Sequence, residues 1–204
     1  MKPEPARPAV SSRMARRFVE SAAEEAGAEN LETILAEAGL TVADIQDDPA
    51  ARLDGARAAE LSAALQRGLR RFFGGGARGP LIRIGRGMWE RLVQHASLRE
   101  KAELEIARRL PVPARRRRLL NLVAAYLREG GEAASVRSQD LDLILVHQGT
   151  AGRQPSDEPL CAVTLGLIQG ALFWGTRQEA DVEETACRAA GAPACEFRVS
   201  PGGK

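Results

Sequence analysis

The stretch LCAVTLGLIQGALFW, Leu160 to Trp174, constrains the fold more than any other part of this chain. It carries no charge and is apolar on nearly every helical face, so a helix there has to be covered on all sides. It is shorter than the roughly 18 to 20 residues that cross a bilayer. The rest of the chain must therefore wrap around it, and 204 residues are enough to build such a core.

The wrapping material is helical in the first two thirds. Residues 1–10 hold three prolines and read as a flexible tail. Ser11 or Ser12 caps a predicted helix to about Ala26 with Met14, Phe18 and Ala22 in its stripe. Asn30 is placed to cap a short second helix that stops near Gly39, and Asp54 to start a third. That third helix lines up Leu61, Leu65, Leu69 and Phe72 or Phe73 before GGGARGP breaks it. The glycine run lacks the spacing and the Lys-Ser/Thr ending of a P-loop, so it reads as a joint. Helices follow over 81–95 (Leu81, Ile84, Met88, Trp89, Leu92), after the capping-box sequence SLRE at 97–100, and over 114–128 (Leu119, Leu120, Val123, Tyr126, Leu127), with Gly130 as the stop.

After Gly131 the pattern changes. ASVRSQ and DLILVHQG alternate as short strands about a turn near Asp140, and ADVEE and CEFRV form another pair beyond the buried helix. The predicted class is α+β, an N-terminal helical part followed by a small, mostly antiparallel sheet packed on helices. The expected organisation is a tail (1–10), a helical region (11–75) and a ligand-binding domain (76–199). A net charge of +2 exerts no strong pull on nucleic acid. The N-terminus has no signal-like apolar region, which points to the cytoplasm, where structural disulfides are disfavoured.

Three cysteines are present, and two of them fall in EETACRAAGAPAC, residues 183–195, just after two glutamates. They can be small buried hydrophobes, a Cys187–Cys195 disulfide, or metal ligands. Zinc takes four ligands in a tetrahedron and accepts thiolate and carboxylate alike. Strand parity selects the acid. Val182 should face inward, and Glu184 shares its side, whereas Asp181 and Glu183 lie opposite. An inward glutamate needs a partner.

Glu184, Cys187 and Cys195, with Gly191 between the cysteines and Phe197 and Val199 after them, resemble the end of the 4-vinyl-reductase domain. That domain is also described as a hydrocarbon-binding or small-molecule-binding domain. It occurs in bacteriochlorophyll-synthesis proteins and in the sensor part of aromatic-responsive transcription activators. PLCAVTLGLIQGAL is similar to the family's Pro-x-Cys helix. The zinc-binding sensors order their ligands Cys, Glu, Cys, Cys, and Cys161, Glu184, Cys187 and Cys195 match with intervals of 23, 3 and 8. The resemblance implies a closed, structural zinc site whose excess negative charge Arg188 or Arg198 can offset. It is specific over about 133–199 and weaker over 60–130.

The resemblance also implies a fold related to haem-based nitric-oxide sensors and vesicle-tethering subunits, with an apolar pocket between sheet and helices. Trp89, Val123, Tyr126, Leu143 and Leu145 are the candidate lining. The histidine and tryptophan with which aromatic sensors hold a phenol have no counterpart in place, which leaves a larger apolar ligand such as a tetrapyrrole or acyl chain. His95 and His147 are the only histidines, and His95 reads as an exposed or capping residue more simply than as a haem ligand. ARRRR at 114–118 opens a helix whose positive end does not favour cations.

Two functions follow. One is a non-enzymatic sensor or carrier of an apolar ligand, stabilised by Zn2+. The other is an enzyme or accessory protein of (bacterio)chlorophyll or tetrapyrrole synthesis. No Rossmann fingerprint, flavin motif or acid/base pair supplies a hydride, which favours binding. Expected partners are the ligand, a second copy of the chain, and a separate regulatory or biosynthetic protein, with no direct nucleic-acid contact. Gly166 and Gly170 suit a helix–helix approach in a homodimer or a close approach to the chain's own sheet.

Overall fold

The computed structural model describes residues 13–42, 55–129, 133–148 and 161–201. The tail, Asp54 and Gly130 lie outside them. Among the described residues are seven α-helices and four strands. The helices are α1 (Arg13–Ala26), α2 (Leu31–Ala38), α3 (Gly55–Phe73), α4 (Arg78–Gln94), α5 (Leu98–Arg109), α6 (Val112–Glu129) and α7 (Ala162–Thr176). The strands are β1 (Ala134–Gln139), β2 (Asp142–His147), β3 (Val182–Ala186) and β4 (Cys195–Val199). They form one antiparallel sheet in the order β1-β2-β4-β3, the predicted α+β class.

Local signals account for most boundaries. Ser97 caps α5 by accepting from the Glu100 N–H, while the Glu100 carboxylate accepts from the Ser97 N–H. Gly39 ends α2 at φ 70, a left-handed conformation that costs glycine nothing, with Leu40 N–H closing on Leu35 O. Helix α4 begins earlier than predicted, at Arg78. Pro80 falls in its first turn, where no helical hydrogen bond is lost. Asn30 precedes α2, yet its side chain does not cap it. Its amide donates instead to Ala26 O at the end of α1.

Helix α7 is the centre. It buries Leu165, Leu167, Ile168 and Leu172, each contributing about 2 kcal/mol relative to exposure. It lies against α4 at backbone contact. A Cβ on Gly166 would run into the Ile82 carbonyl, and one on Gly85 into the Val163 carbonyl. Gly170 faces the α4 backbone at Arg86. The two glycines of α7 thus serve a contact within the chain, with a helix and not the sheet, and neither is left to seat a second copy.

The sheet has a dry inner face and a charged outer one. Val136, Leu145, Phe197 and Glu184 lie in register across the inner face. Arg137, Ile144, Arg198 and Glu183 form the neighbouring outer row, with Arg198 paired to Glu183 and Arg137 to Glu196. Helix α6 packs against β1 and β2 and supplies Leu119, Leu120, Val123 and Leu127 to the core.

Candidate functional site

At one end of the inner face four donor groups converge. Cys161 occupies the N-cap position of α7, Glu184 the middle of β3, Cys187 the residue after it, and Cys195 the start of β4. One ligand atom from each lies within 4.8 Å of all the others. A break in register between Glu184 and Ala186 re-aims β3 just before Cys187. The chain then returns through a tight turn in which Ala190 and Ala192 N–H donate to Cys187 O and Gly191 takes φ 91. That turn brings Cys195 back to the cluster.

The cluster is built for something it does not contain within its own side chains. The three cysteines are buried and none is in a disulfide. Cys161 and Cys195 sulfurs are 3.2 Å apart, well beyond a bond of about 2.05 Å. Glu184 Oε1 is buried with no hydrogen-bond partner. An unpaired carboxylate oxygen beside three thiols is costly, and a cation shared among the four removes the cost. Without a cation, one proton serves two sulfurs. Cys161 donates to Cys195, which holds the Cys161 thiol well above its ordinary range and draws Cys195 down to about 6. The Arg188 N–H, 3.4 Å from the Cys195 sulfur, and nearby His147 add to the lowering.

The charge-balancing groups differ from those expected. Arg198 points to the outer face and binds Glu183 and Asp142 there, because it alternates with inward Phe197 and Val199. Arg188 contributes its backbone N–H, and its guanidinium goes to Gln148 O. Sequence reasoning missed His147. It is buried, pairs across the sheet with Cys195, and shares the inward parity of Leu145. That parity is the signal that could have found it.

The candidate pocket residues divide. Trp89, Val123, Tyr126 and Leu145 belong to one buried core. Tyr126 and Trp174 each meet Trp89 edge-on, at centroid distances of 5.9 Å and 6.2 Å. Arg13 lies 5.0 Å over Tyr126, and Arg108 lies 5.1 Å over Trp174. Trp89 is fully buried, and its Nε1 has no acceptor. Tyr126 also lines a surface cleft of about 560 Å³, where Arg13 bridges Glu100 at 2.7 Å and Glu129 at 2.8 Å. Burial pushes the Tyr126 hydroxyl up to about 12. Leu143 is only partly buried and lies at the other end of the inner face.

Residues 150–201 match the family model of the vinyl-4-reductase domain, and the match spans the cluster. The whole fold is that of H-NOX proteins. A variant of the Fe(II) unliganded protein from K. algicida superposes with a TM-score of 0.61 at 10% identity, covering 93% of this chain and 95% of that one. An oxygen-binding H-NOX domain related to soluble guanylate cyclases, in its oxygen complex, gives 0.56 at 12%, with 92% of each chain covered. The S. oneidensis protein in the Fe(II)NO state gives 0.55 at 10%, covering 91% and 97%. No curated protein matches. Haem held by an axial histidine does not fit this chain. His95 is the exposed C-cap of α4, as its simpler reading had it, and His147 sits beside Cys195. No helix among the described residues is long and apolar enough to cross a membrane.

Proposed function

We propose that this protein is a small-molecule-binding module, a sensor or carrier, in which a zinc ion on Cys161, Glu184, Cys187 and Cys195 fixes the sheet to α7. An apolar ligand bearing one hydrogen-bond acceptor binds against Trp89, Val123, Tyr126 and Leu145. The observation that carries ligand binding is the Trp89 Nε1–H, an unsatisfied donor in the centre of an apolar core. Natural cores leave few such donors, because each costs about 1–3 kcal/mol. A ligand oxygen satisfies it, and the route runs from the cleft past Arg13 and Tyr126.

Zinc is favoured by three thiolates and a carboxylate, a soft, four-coordinate set that leaves no position for water and so serves structure. Metal analysis of protein purified without added zinc should return one equivalent. Apolar ketones, phenols and fatty acids screened by thermal shift should include ligands that raise Tm with concentration, since they bind only the folded state. Trp89→Phe should weaken those shifts and leave zinc content unchanged. A broad screen that moves nothing refutes the sensor and carrier role. Metal-free protein of full stability refutes the zinc site.

A further inference from the structure

The arginine run at 115–118 is not a uniform charged face. Arg115 donates to Leu110 O and reaches Gly175 O at the end of α7, where a cation suits the negative helix end. Arg118 pairs with Glu103 of α5. Arg116 and Arg117 make no hydrogen bond or ion pair among the described residues, and Arg116 Nε is buried without a partner. Both line a groove of about 520 Å³ between the first turns of α6 and the end of the sheet opposite the cysteine cluster. Its floor is Leu143 and Val199, neighbours across β2 and β4, and Leu141 stands at its edge, 84% exposed at the β1–β2 turn. No acidic side chain lines it.

Two uncompensated guanidinium groups beside an apolar floor, at the positive end of an 18-residue helix, complement one kind of occupant. We infer that this groove binds an amphiphilic carboxylate, a medium-chain fatty acid or similar molecule, with the carboxylate on Arg116 and Arg117 and the chain along Leu143, Val199 and Leu141. An anionic membrane surface is the poorer match, because Asp140 and Asp142 flank Leu141 at the tip that would enter it. This site is separate from the one around Trp89 and does not depend on it.

The test is calorimetric titration of the full chain with decanoate, acetate and decanol, together with flotation on phosphatidylglycerol vesicles. Decanoate should bind with one site per chain, acetate and decanol should not, and vesicles should not retain the protein. Arg116→Gln/Arg117→Gln should weaken decanoate at least about tenfold, the scale of losing charge-assisted hydrogen bonds. Leu141→Ser, at an exposed position, should weaken it less and preserve Tm. Trp89→Phe should leave it unchanged. Decanoate binding that survives the double arginine change, or that falls with Trp89→Phe, overturns the assignment and moves the ligand to the core. Equal binding of acetate, absence of decanoate binding, or arginine-dependent vesicle retention without decanoate binding overturns it as well.

Discussion

The two ends of the sheet's inner face carry opposite chemistry. At the β4 start, three sulfurs and a carboxylate converge and leave Glu184 Oε1 without a partner. At the β4 end, two guanidinium groups meet an apolar floor and leave Arg116 Nε without one. Between them Leu145 and Phe197 are fully buried. The difference lies in what completes each end. The cysteine end lacks a cation inside the fold, so its occupant is part of the stability. The arginine end faces solvent, and its occupant adds to a structure already formed.

The sharpest way to break this contrast is to remove the ion. Cys195→Ser, or chelation, should lower Tm by roughly 10 °C, since binding energy at such a site is folding energy. Arg116→Gln/Arg117→Gln should leave Tm within a few degrees. Similar losses from both, measured by thermal melts, would erase the distinction. Next in size is the middle. Gly166→Ala places a methyl against the Ile82 carbonyl and should cost about 2–3 kcal/mol by denaturant unfolding, because backbone must move.

The acidity of the cluster sharpens the contrast further. Cys161 keeps its proton well above the ordinary thiol range in the metal-free state, so the ion has to expel it. Metal affinity should therefore rise with pH, about tenfold per unit for each proton released, in chelator competition at pH 6.5 and 8. A flat profile would mean that the thiols are already ionised. Smaller still is Trp89→Phe in ligand-free protein. Loss of the indole packing is offset by removal of an unsatisfied N–H, so stability should change by about 1 kcal/mol or less. The smallest effect concerns Tyr126, the single tyrosine. Its absorbance titration should have its midpoint near 12 and not 10. The raised value favours the neutral form, so its stabilisation is complete below pH 10 and is lost as pH climbs toward 12.

Much of this is written locally. The alternation in ASVRSQ and DLILVH marks β1 and β2 to within a residue or two, and SLRE marks the start of α5, because period and cap are properties of neighbouring residues. Glu184 is legible by the same parity, and it lies in the row of Val136, Leu145 and Phe197. His147 obeys that parity too, although nothing near it in sequence points to the cysteines it joins. Arg198 shows the converse. It is close in sequence to Cys195, yet its outward phase carries it away from the cluster.

By itself the sequence determined the helix-then-sheet order, the central place of Leu160–Trp174, and the four donors, because hydrophobic period and ligand spacing act over a few residues. Only the tertiary structure decided what each feature faces. Gly166 meets Ile82 of α4 and not a second copy, Leu143 leaves the core for a groove, and four adjacent arginines separate into two that are paired and two that are not. Those outcomes depend on which distant backbone arrives alongside, and distance along the chain carries no such information.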